Sequence, residues 1–280
     1  MLEQLGGWAA WGAPSSMPIP PPPPAVALFH RDFGGSGEPP RVILHGFLGS
    51  SRNWLTAGKD LAAGRRAFAL DLRNHGLSPH SGEMSYAAMA ADVLAWLDAR
   101  GIARAELVGH SMGGKVAMLL ACRHPERVGR LVVVDIAPRD YHWPERGAEL
   151  SAMRGLDLAG LGSRAEAEAR LAPAVPDAAM RKVVLTNLER TPGGWRWMVN
   201  LPALEAALPD LEQNPLGPGD RFGGPSLFVA GGRSRYVEPS DHAAIRDVFP
   251  AARIVVLEGS GHNPHIEARE AFVRAVTSAP

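Results

Sequence analysis

The sequence predicts an α/β fold, a mostly parallel central sheet flanked by helices with one late helical insertion, and three observations carry that prediction. Short β-branched or apolar runs alternate with helical periods from Val26 onward, the pattern of βαβ units. One of these runs passes through Gly109-His110-Ser111-Met112-Gly113 straight into an apolar helical stretch. Between Pro138 and Gly224 the strand runs vanish, leaving Ala/Arg/Glu patterns broken by Pro144, Pro173, Pro176, Pro192 and Pro202.

Residues 1–24 end in Pro18-Ile19-Pro20-Pro21-Pro22-Pro23-Pro24, which favours polyproline II and withholds backbone donors from any sheet. This stretch is expected to be a disordered tail. Strands are expected at Val26–Phe33, Arg41–His45, Ala67–Leu72, Glu106–Gly109, Leu131–Asp135, Ser226–Ala230 and Arg253–Leu257. Only Gly34–Pro40 separates the first two, too short for a crossover helix, so they are predicted to pair as an antiparallel hairpin. The remaining strands read as parallel. A helix is expected after Ser85, a good N-cap, with Met89, Val93 and Leu97 on one face and Gly101 free to turn left-handed at its end. The core domain therefore takes residues 25–137 and 225–280, and 138–224 forms a helical lid.

With 280 residues and 46% hydrophobic content, the chain can fill a substantial core. Lys plus Arg number 29, as do Asp plus Glu, so no net field favours nucleic acid or an anionic surface. The single Cys122 excludes an internal disulfide and any Cys-rich metal site; neither metal nor cofactor is expected. Arg, Gly or Pro interrupts every apolar segment before the roughly 18–20 residues a spanning helix needs, so stable membrane insertion is not expected. The N-terminus lacks the basic and apolar regions of a secretory signal and has no arginines for a transit peptide, which leads to an expected cytoplasmic location. Nothing in the sequence fixes the oligomeric state.

The chemistry centres on Ser111. A serine on a sharp strand-to-helix turn needs neighbours without side chains, and Gly109 and Gly113 provide them, exposing the hydroxyl at a helix N-terminus. Gly109 and Gly114-Lys115 also approach a phosphate loop, but Val116 stands where a Ser or Thr would bind magnesium. The candidate oxyanion donors are the backbone N–H groups of Phe47, in His45-Gly46-Phe47-Leu48-Gly49 after a strand, and of Met112. His45 itself reads as a loop brace, as do Arg73, Asn74 and His75. His262, in Glu258-Gly259-Ser260-Gly261-His262 after the last strand, is the candidate base, with His265 a weaker competitor. For the acid, the turn Gly231-Gly232-Arg233-Ser234 presents a serine where an aspartate is usual. Asp135, at the carboxyl edge of its strand, is assigned instead, with Glu238 and Asp241 as alternatives.

With these residues in place, the chain resembles the α/β-hydrolase superfamily over Val26–Thr277, and more narrowly the YbfF-like esterases. The narrower likeness rests on His45-Gly46-Phe47-Leu48-Gly49-Ser50, Asp71-Leu72-Arg73-Asn74-His75-Gly76-Leu77-Ser78, Gly109-His110-Ser111-Met112-Gly113-Gly114-Lys115 and Val134-Asp135-Ile136-Ala137-Pro138. The resemblance implies hydrolysis of short or medium acyl esters or thioesters, an acid after the strand the family counts as its sixth, and a lid following it. It also implies that aromatic residues of Gly194-Trp195-Arg196-Trp197-Met198-Val199-Asn200 line the acyl pocket, with Trp197 as the substrate-binding candidate. The proline tail and Asn263-Pro264 after His262 depart from the family pattern. The same triad serves lactone opening, perhydrolysis or a lyase step, and a non-catalytic ligand receptor is the rival outside enzymes.

Overall fold

The computed structural model describes residues 24–278; apart from Pro24, the proline-rich tail lies outside them. The strands are β1 (His30–Asp32), β2 (Arg41–Leu44), β3 (Ala67–Leu70), β4 (Ala105–His110), β5 (Val128–Val134), β6 (Leu188–Thr191), β7 (Gly194–Trp197), β8 (Ser226–Gly231) and β9 (Ala252–Leu257). The helices are α1 (Leu55–Leu61), α2 (Tyr86–Asp98), α3 (Met112–Arg123), α4 (Pro144–Gly155), α5 (Arg164–Leu171), α6 (Ala178–Thr186), α7 (Leu201–Glu212), α8 (Asp241–Val248), α9 (Pro264–Glu267) and α10 (Arg269–Thr277). Seven strands form one sheet in the order β1-β3-β2-β4-β5-β8-β9, parallel except for β1.

Alternate residues of the central strands feed two separate cores, which is why these strands read as continuous apolar runs. On one face Leu107, Leu131 and Val133 pack with Met89 and Val93 of α2 and with Val116 and Leu120 of α3. On the other, Val108, Val132 and Val134 pack with Trp54, with Leu61 of α1 and with Phe272 and Val276 of α10. Each such fully buried side chain contributes roughly 1.5–3 kcal/mol. α2 starts where expected: the Ser85 hydroxyl accepts from the Ala88 N–H at 3.2 Å, and Gly101 takes φ +62° just past the helix.

The predicted hairpin is corrected. β1 is antiparallel but pairs with β3, His30 opposite Leu70, and β3 lies between β1 and β2. The intervening loop explains this. Gly34 and Gly35 take φ +81° and +85°, and the carbonyls of Gly34 and Gly37 accept from Ala67 and Arg66, so the loop is bonded to the start of β3 and carries the chain past it. β1 is also shorter than expected, because the Val26 and Phe29 N–H groups donate to the side chains of Asp92 and Ser78 instead of a neighbouring strand.

Residues 138–224 hold α4 to α7, but also the hairpin β6–β7, which the helical expectation lacks. Two asparagines tie this segment to the core loops. Asn187 Nδ2 donates to the Leu48 carbonyl at 2.7 Å, and Asn200 Nδ2 to Asn74 Oδ1 at 3.0 Å. Arg73 is fully buried in a two-point pair with Asp92 at 2.6 and 2.8 Å, a bracing role.

Candidate active site

Ser111 sits between β4 and α3 with φ +51° and ψ −119°, a conformation that side-chain-bearing residues rarely adopt. The crowding around it is severe. A Cβ on Gly109 would lie 2.3 Å from the Gly113 carbonyl oxygen, and one on Gly113 would lie 2.5 Å from that of Leu44. Glycine at both places lets strand, turn and helix close on one another, which is what holds the serine at the helix N-terminus.

His262 follows β9 and faces Ser111 from the neighbouring loop. Its Nδ1 donates to Asp135 Oδ2 at 2.8 Å, leaving Nε2 as an acceptor 3.1 Å from Ser111 Oγ. Asp135 is fully buried and takes φ +51° just after β5. Its Oδ1 accepts from the Gly231 N–H at 2.9 Å, and its Oδ2 accepts from Ser234 Oγ at 2.5 Å. Ser234, in the slot where sequence led one to look for a carboxylate, thus supports the carboxylate of the adjacent strand. Asp241 is engaged elsewhere: its Oδ2 accepts from the Glu238 main-chain N–H at 2.8 Å and its Oδ1 pairs with Arg139 at 2.9 Å.

Burial holds His262 below its usual value of 6.5, opposed by the hydrogen bond and charge of Asp135. The net direction keeps the imidazole neutral near pH 7, the form that accepts a proton. Tyr236 stacks on His262 with centroids 3.7 Å apart and an interplanar angle of 19°.

Phe47 lies in the loop after β2, and no hydrogen bond of its N–H is seen among the described residues. Met112 opens α3, where helix geometry leaves the N–H without an intrahelical partner. His45 is not a base. The Leu72 N–H donates to its Nε2 at 2.9 Å, so Nδ1 carries the hydrogen and donates to the Gly46 carbonyl at 2.8 Å, and burial lowers its pKa to about 4.

A cavity of about 520 Å³ opens beside His262, walled by Arg146 and Glu149 of α4, Met180 and Val183 of α6, and Tyr236. Arg146 is buried there. Its guanidinium donates to Glu149 at 2.8 Å and to the Tyr236 hydroxyl at 3.3 Å.

A family model for the α/β-hydrolase fold matches residues 39–161. The chain is 40% identical to the mouse sn-1-specific diacylglycerol lipase ABHD11 over 88% of its own length and 82% of that protein. It is 34% identical to esterase YbfF of Escherichia coli over 85% of this chain and 91% of that one. The chain belongs to the α/β-hydrolase family. A solved marine microorganism esterase superposes on this α/β-hydrolase with a TM-score of 0.86 at 33% identity, covering 90% of this chain and 98% of that one.

In this hydrolase Ser111, Asp135 and His262 come together, whereas Trp197 does not join them. It ends β7, its ring N–H donates to the Met153 carbonyl at 2.9 Å, and it lines a separate cavity with His80 and Arg196. Arg146, Tyr236 and the supporting role of Ser234 escape sequence reasoning. An Arg146–Glu149 spacing marks a helical pair, but nothing in it marks burial.

Proposed function

We propose that this chain hydrolyses carboxylic esters of short to medium acyl length through an acyl-enzyme on Ser111, with His262 as base and Asp135 as its orienting acid. The observation that carries the reading is His262 bridging Ser111 Oγ at 3.1 Å and Asp135 Oδ2 at 2.8 Å. The chain is a carboxylic ester hydrolase, as its esterase and diacylglycerol lipase relatives are named. His262 Nε2 takes the Ser111 proton as Oγ attacks the carbonyl, and the imidazolium is compensated by Asp135. The Phe47 and Met112 N–H groups hold the oxyanion, favoured by the N-terminal end of α3. His262 then returns the proton to the leaving alcohol. A water, deprotonated by the same nitrogen, releases the acid. No cofactor enters these steps. The 138–224 segment serves as a lid, since α4 and α6 wall the cavity in which the acyl chain lies.

A panel of p-nitrophenyl esters from acetate to palmitate beside acyl-CoA thioesters tests this reading. Turnover is expected to be greatest for the short and medium esters. A preference for thioesters would reassign the substrate class, and no turnover of any member would point to a ligand receptor.

The lowered pKa of His262 sets the pH profile. Activity needs the neutral imidazole, so kcat/KM is expected to stay on its plateau through neutrality and fall only as pH drops through a midpoint below 6.5. An ester whose leaving group does not titrate measures this directly. A midpoint at or above 6.5, the value of an unperturbed histidine, would contradict the burial argument.

A further inference from the structure

His110 takes no part in the steps above, yet its ring touches the loops that do. It ends β4, directly before the nucleophile, and is 6% exposed. Its Nε2 stands 2.8 Å from the main-chain carbonyl oxygen of His262. A carbonyl only accepts, so Nε2 carries the hydrogen and Nδ1 the lone pair. The Nδ1 edge abuts the oxyanion loop, where a Cβ on Gly46 would lie 2.7 Å from Nδ1 and 3.2 Å from Ser111 Cβ. The ring is also clamped. Its centroid lies 4.8 Å from those of both His262 and His265, and His265 is stacked on Trp54 at 4.1 Å.

The loop that needs holding is glycine-rich. His262 follows Gly259-Ser260-Gly261, a stretch with large conformational freedom in the unfolded chain. Glu267 accepts from the N–H groups of Gly261 and Asn263, at 2.8 and 3.1 Å, which anchors the flanks of His262. The carbonyl of His262 itself is bonded by His110.

We propose that His110 is a positioning residue, whose Nε2–H bond to the His262 carbonyl locks the base loop to the nucleophile turn and so sets the Ser111–His262 geometry. This rests on the reading of Ser111 and His262 as nucleophile and base. The two groups belong to loops 151 residues apart in sequence, and the bond from His110 joins them through a residue covalently adjacent to the nucleophile. A displacement of about 1 Å in such a pair costs up to about 10²-fold in rate. Burial, with His265 and His262 nearby, holds the His110 pKa well below its usual value, so the tautomer that donates persists through the working pH range.

Three variants separate positioning from packing. His110→Gln places an amide N–H near the position of Nε2, His110→Asn reaches only as far as Nδ1, and His110→Phe keeps the ring without a donor. The readouts are kcat and KM on a p-nitrophenyl ester and the second-order rate of fluorophosphonate labelling at Ser111, with circular dichroism and thermal midpoint as fold controls. His110→Phe and His110→Asn are expected to lose about 10–100-fold in kcat and in labelling rate with KM nearly unchanged, and His110→Gln to recover most of that loss. Should His110→Phe fail to fold, the Gln against Asn comparison carries the test. Labelling and kcat at parental rates in a folded His110→Phe or His110→Asn would overturn the proposal, as would His110→Gln no faster than His110→Asn. A parent enzyme that turns over ester without labelling at Ser111 would instead sink the underlying assignment, and the proposal with it.

Discussion

Ser111→Ala is expected to lower kcat for ester hydrolysis by about 10⁵–10⁶-fold while leaving the fold intact. The substitution removes the hydroxyl and nothing that shapes the turn. The φ of +51° disfavours alanine no more than serine, since both carry a Cβ, and Gly109 and Gly113 still provide the close approach of strand and helix. The Phe47 and Met112 N–H groups remain, so a residual rate about 10³–10⁴-fold over water persists even without the nucleophile. Single-turnover and steady-state kinetics on a p-nitrophenyl ester, with circular dichroism as control, measure the loss. A folded Ser111→Ala protein with near-parental kcat would remove this serine from the reaction.

The second large effect is Asp135→Asn, expected to cost up to about 10⁴-fold in kcat. The surroundings of the carboxylate dictate how the amide must sit. Gly231 N–H donates to Oδ1, so the amide oxygen takes that position and the amide nitrogen faces His262. His262 Nδ1 must then accept, its hydrogen moves to Nε2, and Nε2 can no longer take the proton of Ser111. The Ser234 hydroxyl rotates to accept from the amide, and asparagine tolerates the φ of +51°, so the fold is expected to survive. Asp241→Asn and Glu238→Gln, measured at the same pH, should stay near parental activity because neither side chain contacts His262 among the described residues. A crippled Asp241 or Glu238 variant beside an active Asp135→Asn would move the acid to the loop after β8.

What is legible in the sequence follows from how local each signal is. The nucleophile turn is legible because glycine spacing, strand and helix are contiguous between Ala105 and Arg123, and the buried face of α2 is legible from a period of hydrophobic residues alone. The partner of β1 is not. Pairing there depends on where the Gly34–Pro40 loop makes its hydrogen bonds, and those are with β3, which comes later in the chain. The hairpin β6–β7 carries a local sign, Pro192-Gly193-Gly194 between two short polar and aromatic runs, but its surroundings read as helical. Trp197 is expected in the acyl pocket from the resemblance alone, and the structure places it beside His80 and Arg196 with its ring N–H on the Met153 carbonyl. Ser234 is visible as an oddity in its turn, while its hydrogen bond to Asp135 crosses 99 residues and two strands that only the sheet order brings side by side. Arg146 and Tyr236 meet through packing of α4 against the loop after β8, which no sequence period encodes.

Peptide mapping of the native protein after fluorophosphonate treatment tests directly whether Ser111 is the nucleophile. One adduct per chain is expected, on Ser111, formed at a rate that Asp135→Asn slows sharply and Ser111→Ala abolishes. An adduct on any other residue, or an enzyme that hydrolyses esters while its Ser111 peptide stays unmodified, would contradict that role.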